Sequence, residues 1–378
     1  MTRDEKETAS ILHRLRSSAA ACPRTLAFME VCGTHTMSAF RCGLASVLPK
    51  NVRLISGPGC PVCVTAQGEI DRMIELARRP EVTLCTYGDM VRVPGRRGSL
   101  EAARREGARV QIVYSSLDAV ARARAEPARR VVFAAVGFET TAPATAAALL
   151  AARRLDLANF TVLASHKRII PAMRALLQGA PRSGLGLDGF LCPGHVSVII
   201  GQQAYEPLVR EFNVACVIGG FEPVQILRAL ADLVDLARDH RAALINQYPE
   251  AVTPEGNQAA RKLLDTVFQA GPARWRGLGE IAQSGMIIRE SFARFDARRV
   301  FQLSEQAERE PASCLCGKVI SGLALPPDCK LFGRGCTPIS PIGPCMVSSE
   351  GTCAAWFKYG PRDTGGSPGR HTLQEASA

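Results

Sequence analysis

Cysteines dominate the chemistry open to this sequence: there are 14 among 378 residues. The densest group is Cys329, Cys336, Cys345 and Cys353, spaced C-x6-C-x8-C-x7-C in a stretch rich in Gly and Pro. Four thiolates suit either a Zn(Cys)4 site or an iron–sulfur cluster. Structural zinc usually takes ligands in close pairs, and this group has none. Wide, single-ligand spacing suits a [4Fe–4S] cube, whose corners lie apart and are reached by loops. Gly333, Gly335, Gly343 and Gly351 let backbone N–H groups approach the sulfurs, and such bonds tune a potential. Just upstream, Cys314 and Cys316 form a C-x-C pair, the second source of ligands or a redox couple in its own right.

A separate pair, Cys60 and Cys63, sits in Gly57-Pro58-Gly59-Cys60-Pro61-Val62-Cys63, between an expected strand and an expected helix. A C-x-x-C at such a junction is the arrangement of a reversible dithiol, with the helix N-terminus favouring thiolate. The rival is half of a zinc site, for which no second C-x-x-C is present. A third site is Glu30-Val31-Cys32-Gly33-Thr34-His35. Cys32 ends an expected strand, where α/β sheets place their ligands. His35 opens the following helix and could orient a ligand at Cys32, hold its thiolate or coordinate metal. The alternative is a buried thiol beside a capping histidine. Cys85 and Cys216 lie in apolar strands as inert thiols, and Cys22, Cys42 and Cys192 read as structural. In Gly137-Phe138-Glu139-Thr140-Thr141, a threonine caps a helix or Glu139 faces the site. His195, in Gly194-His195-Val196-Ser197, reads as structural. No phosphate-binding glycine motif supports a nucleotide.

These residues need a frame. Short apolar runs begin near Leu26, Val52, Val82, Val110, Val131, Thr161, Gly189 and Val214, and amphipathic stretches separate them. Runs with little alternation are strands buried on both faces, and strand–helix alternation makes parallel sheets. The expectation is α/β: two doubly wound parallel-sheet domains joined near Gly137, followed by an irregular iron–sulfur domain. One large sheet is the alternative. The division is 43–137 and 138–240 for the α/β domains, 1–42 with 241–359 for the iron–sulfur domain, and 360–378 for a polar, disordered tail. The Cys-, Pro- and Gly-rich stretch has little apolar surface to bury, so a bound cluster would order it.

Composition narrows the classes. Hydrophobic residues make up 47% and charged residues 21%, ordinary for a globular chain. No apolar run approaches the roughly 18 residues of a membrane span, and no apolar segment follows the start, so a cytoplasmic protein is expected. Cytosolic thiols stay reduced, which turns 14 cysteines toward metal or redox work. The net charge is +11. Its arginines are scattered without interleaved aromatics, which argues against nucleic acid.

Taken together, the motifs resemble the HypD family of hydrogenase formation proteins. The likeness rests on Cys32-Gly33-Thr34-His35-Thr36, on the Gly57–Cys63 string, on Gly137-Phe138-Glu139-Thr140-Thr141, on Gly194-His195-Val196-Ser197, on Cys314-Leu315-Cys316-Gly317, and on the run from Pro327 to Ala355. It implies two related α/β domains plus a [4Fe–4S] domain. It implies a complex with the small chaperone HypC that carries the Fe(CN)2CO unit of [NiFe]-hydrogenase. Cyanide would come from HypE, supplied by HypF, and the hydrogenase large subunit would be served indirectly. Carried over, Cys32 would bind the iron of Fe(CN)2CO, Cys60 and Cys63 would be the redox dithiol, and Cys329, Cys336, Cys345 and Cys353 would hold the cluster. That describes an assembly scaffold with a redox function. The rivals are a free-standing iron–sulfur thiol/disulfide oxidoreductase and a zinc-stapled binding module.

Overall fold

A computed structural model describes residues 3–183, 186–304 and 310–361. All eight expected strands form: β1 (Leu26–Glu30), β2 (Val52–Ser56), β3 (Val82–Thr86), β4 (Arg109–Ile112), β5 (Arg130–Gly137), β6 (Phe160–His166), β7 (Gly189–Pro193) and β8 (Ala215–Gly219). β1, β3, β7 and β8 are buried at every residue, which is why their sequences show no alternation. With β9 (Leu244–Asn246) they build two parallel sheets, in the orders β2-β1-β7-β8-β9 and β4-β3-β5-β6. Each sheet is doubly wound from its second-to-edge strand. The strand order therefore reverses between β1 and β7 in one sheet and between β3 and β5 in the other. Crevices outside the carboxyl ends of strands at such reversals are where α/β sheets bind ligands.

The sheets do not follow a division at Gly137. β5 and β6 pair along their whole length, from Val131↔Phe160 to Gly137↔His166, in one sheet. The other sheet draws β1 and β2 from the start of the span and β7 to β9 from its end. The Ala27 N–H donates to Asp188 Oδ2 at 2.8 Å across this gap. Residues 3–42 also pack with that sheet. Helix Arg3–Ala20 packs Leu15 and Ala19 against Leu230 and Leu233 of helix Pro223–Arg238, which covers the sheet's outer face. Local periodicity identifies strands but carries no signal for which distant strand is the neighbour.

Past helix Gln258–Val267 the chain is not irregular, as expected, but an antiparallel hairpin of β10 (Phe268–Trp275) and β11 (Gly279–Ile288). Phe268, Met286 and Ile288 pack beside Phe133 and Phe160 on the second sheet. A register shift between Gly271 and Ala273 interrupts the alternation that would have marked the first of these strands. Residues 310–361 form short helices and turns around a small apolar cluster of Phe332 and Met346. From residue 362 the expected tail lies outside the described residues. Among the described residues no helix is long and apolar enough to cross a membrane.

Candidate metal and redox centre

Cys32 follows β1 and caps helix Gly33–Arg41, at the reversal point of the first sheet. Burial pushes its thiol up to about 12, and Glu30 and Glu350 add to the rise, while the backbone N–H groups of His35 and Thr34 oppose it. At neutral pH the free group is therefore a thiol, and a bound metal cation would displace its proton. Glu30 lies underneath: Oε2 accepts the Cys32 N–H at 2.9 Å, and Oε1 accepts the Thr36 hydroxyl. Burial raises the Glu30 carboxyl to about 7.

His35 is fully buried, and its Nε2 donates to the Gly220 carbonyl at 2.9 Å. That bond leaves Nδ1 as a bare lone pair, and it has no partner. Burial holds the ring neutral, with its pKa lowered to about 4. His35 thus ties the helix after β1 to the loop after β8. Phe221 packs on its ring and stacks on His195 with centroids 3.8 Å apart. His195, read as structural from the sequence, stands exposed on the same rim.

Two glycines bring the dithiol to this point. A Cβ on Gly59 would lie 2.1 Å from the Cys32 nitrogen, so no side chain fits there. Gly57 donates its N–H to the Glu30 carbonyl at 2.7 Å. The turn after β2 therefore lies flush against the turn after β1, and Cys60 follows directly. Cys60 and Cys63 form a disulfide with Cα atoms 5.2 Å apart. The pair is 5% and 1% exposed, and the Cys63 N–H donates to the Cys60 sulfur.

On the far side of the dithiol, helix Pro61–Val64 contacts both helix Cys316–Ile320 and helix Pro344–Val347. Behind them is a cavity onto which six cysteines open: Cys314, Cys316, Cys329, Cys336, Cys345 and Cys353. Its other walls are apolar, among them Leu315, Val319, Phe332 and Met346, and neither carboxylate nor histidine lines it. The Cys353 N–H donates to the Cys345 sulfur at 3.2 Å, and the Ile342 N–H to the Cys336 sulfur at 3.3 Å. A sulfur-only donor set with backbone N–H groups aimed at the sulfurs fits an iron–sulfur cluster. The four cysteines expected from spacing are all present, and Cys314 and Cys316 join them. Among the described residues, no three His, Cys, Asp or Glu side chains converge on a single-ion site.

Glu350 joins the cysteine-rich region to the turn at Cys32, and its residue type alone suggests no role. Glu350 lies between Cys345 and Cys353 in the chain. Its Oε1 accepts the Thr34 hydroxyl at 2.8 Å, and its Cβ packs where a side chain on Gly33 would stand. Its only sequence signal is its place in the string Ser349-Glu350-Gly351-Thr352-Cys353.

Glu139 accepts the Ile169 N–H at 2.9 Å through Oε1, and its other oxygen is buried without a partner. Burial raises its carboxyl to about 7. The folded state then holds a proton that the unfolded chain loses from about pH 4.5, so this group costs stability as pH rises toward 7. Glu139→Gln is expected to gain in melting temperature over wild type at pH 8 relative to pH 5. An equal difference at the two pH values would contradict the assignment.

A family model described as "HypD: Hydrogenase formation hypA family" matches residues 6–360. The chain is 49% identical to the hydrogenase maturation factor HypD of Azotobacter vinelandii over 91% of this chain and 92% of that one. It is 42% identical to the HypD of Escherichia coli, over 94% and 96%. A putative hydrogenase expression/formation protein of Methanocaldococcus jannaschii is 42% identical over 88% and 92%.

Proposed function

This chain belongs to the HypD family of hydrogenase maturation factors, and on that premise we propose that it is the scaffold on which the Fe(CN)2CO unit is assembled as cargo at Cys32. The observation that carries the proposal is continuity. Motifs from three distant parts of the sequence meet in a row: Cys32 against Gly59, the Cys60–Cys63 turn beside it, and the six-cysteine cavity behind that turn.

Cys32 offers the iron a soft thiolate in a water-poor setting, which low-spin iron with CN and CO requires. Glu30 and the helix N-terminus hold its backbone, and neutral His35 locks the helix that presents it. The dithiol provides the reducing step. A thiocyanate-like donor, R–S–CN, releases cyanide on taking up two electrons and one proton. Cys60 and Cys63, oxidised from dithiol to disulfide, supply two electrons and two protons. The donor leaves as R–SH, with cyanide and one proton left over, so the step balances. A [4Fe–4S] cluster, when bound, supplies single electrons. Cys329, Cys336 and Cys353 belong to the proposed ligand set, and Cys345 completes it as the spacing implies, with Cys314 the competitor.

HypC is the proposed carrier that shares the cargo, and HypE is the proposed cyanide donor. An apolar groove of about 690 Å3 supports a docked partner near the site. It runs along edge strand β2 past Phe40, Leu54 and Trp356, and reaches Glu30, two residues before Cys32. Infrared spectroscopy of the chain purified anaerobically with HypC tests the proposal. CN and CO stretches are expected, and their absence from a stoichiometric, iron-loaded complex would refute it.

Cys60→Ser and Cys63→Ser are expected to keep the cluster's absorbance and lose hydrogenase maturation. In the isolated wild type, thiol alkylation with mass spectrometry should find this pair protected until reduction. Maturation at the normal level by both variants would return the turn to a purely structural role.

A further inference from the structure

A guanidinium is buried between the dithiol turn and the six-cysteine cavity. It belongs to Arg276, in the turn of the β10–β11 hairpin, which is 2% exposed. The Arg276 backbone N–H donates to the Val64 carbonyl at 3.0 Å. Nε donates to the Thr65 carbonyl at 3.1 Å and Nη2 to Gln67 Oε1 at 3.2 Å. The arginine thus grips the chain just past Cys63. On the other side, the next residue meets the cysteine-rich region: a Cβ on Gly277 would lie 2.4 Å from the Gly317 carbonyl oxygen. Gly317 follows Cys316, which lines the cavity. The Cys316 hydrogen bond and burial raise the Cys314 thiol, and the Arg276 charge opposes that rise.

A guanidinium stays charged in a protein interior, and burying it is costly without a counter-charge. Among the described residues Arg276 has one ion-pair partner, Glu310, 4.0 Å from Nη1 with its side chain 32% exposed. A carboxylate at the limit of contact and partly in water neutralises the cation poorly. The adjoining cavity offers thiols and no carboxylate. An oxidised [4Fe–4S] cluster with its thiolates carries net negative charge, and one-electron reduction adds to it. We propose that Arg276 is a positioning residue for the electron-transfer step: its fixed charge is the counter-charge of a cluster in this cavity and favours the reduced form, while its bonds to Thr65 and Gln67 hold the segment after the dithiol beside it. The electron comes from an external one-electron reductant, dithionite in the test, and no proton or bond is exchanged. This role rests on the cavity's being a cluster site and requires no metal at Cys32.

Anaerobic redox titration of the full chain with dithionite, followed by electron paramagnetic resonance of the reduced cluster, tests it. Arg276→Gln is expected to lower the reduced-to-oxidised ratio at the wild-type midpoint about tenfold, which is about 59 mV for one electron. Arg276→Lys keeps the charge and should recover most of that ratio. Glu310→Gln should move the ratio the other way, upward severalfold, because it removes the competing carboxylate. Its amide oxygen can still accept the Gly277 N–H, which Glu310 Oε1 accepts at 3.3 Å. Glu310 is partly exposed, so this variant is expected to fold even where the Arg276 variants do not. A purely structural arginine would change stability without moving the two ratios in opposite senses. An unchanged midpoint in cluster-bearing Arg276→Gln, or an unchanged or lowered one in Glu310→Gln, would overturn the role. A wild type that binds no cluster would remove the cluster reading, and this role with it.

Discussion

Cys32→Ala should reduce hydrogenase maturation in cells to background while the protein still folds and still holds its cluster. The substitution removes one sulfur from a small buried site, and a change of that size costs about 1 kcal/mol. Glu30 would still accept the residue-32 N–H, and His35 would still bond Gly220, so the helix that presents the position stays in place. What disappears is the thiol that follows β1 at the first sheet's reversal point. The iron content assigned to the cluster should be unchanged, and CN and CO stretches should be lost from the complex with HypC. Cys42→Ala is the matching control: it removes an exposed thiol at the other end of the same helix and should mature hydrogenase normally. Normal maturation by Cys32→Ala would remove the cargo site from this position.

Removing a cluster ligand should have a different signature, in which iron and local order are lost together. The wild type, purified without oxygen, is expected to be brown with about four irons per chain, as one [4Fe–4S] requires. Cys329→Ala, Cys336→Ala and Cys353→Ala should each lose most of that iron. Residues 310–361 have a small apolar cluster of their own around Phe332 and Met346 and add only a few residues, such as Ile320 and Cys345, to the main core, so binding energy must supply much of their order. Limited proteolysis should therefore cut this region early in the variants and leave the two sheets intact. Cys345→Ala and Cys314→Ala decide the fourth corner. Cys345 is wholly buried in the core cluster that includes Cys60 and Cys63, whereas Cys314 is partly exposed. If Cys345 is the ligand, its variant loses iron and the Cys314 variant keeps it. The opposite result would assign the corner to Cys314 and leave Cys345 facing the dithiol. Full iron in all five variants would exclude these cysteines as its ligands, and stoichiometric zinc without iron in the wild type would exclude the cluster.

Residue types and short-range spacing were enough to locate the eight central strands, the C-x-x-C turn after β2, the thiol after β1 and the cysteine-rich end. Each is a local property. A strand buried on both faces is a continuous apolar run, and a turn that passes flush against another needs glycine, as at Gly57 and Gly59. Spacing alone could not separate ligand from neighbour among the clustered thiols, because Cys314 and Cys316 reach the same cavity by folding back through the turns around Cys329. The join expected at Gly137 failed for a related reason. Whether β5 pairs with β6 or β1 with β7 depends on complementary faces brought together from far along the chain, and neither strand carries a mark of its partner. Glu350 and His195 acquire meaning only from that assembly. Glu350 is an ordinary polar residue until the cysteine-rich region docks on Gly33, and His195 an ordinary histidine until Phe221 places it beside His35. The sequence by itself determined which groups could do chemistry. The tertiary structure decided which of them share a site, because long-range packing sets those distances and chain separation does not.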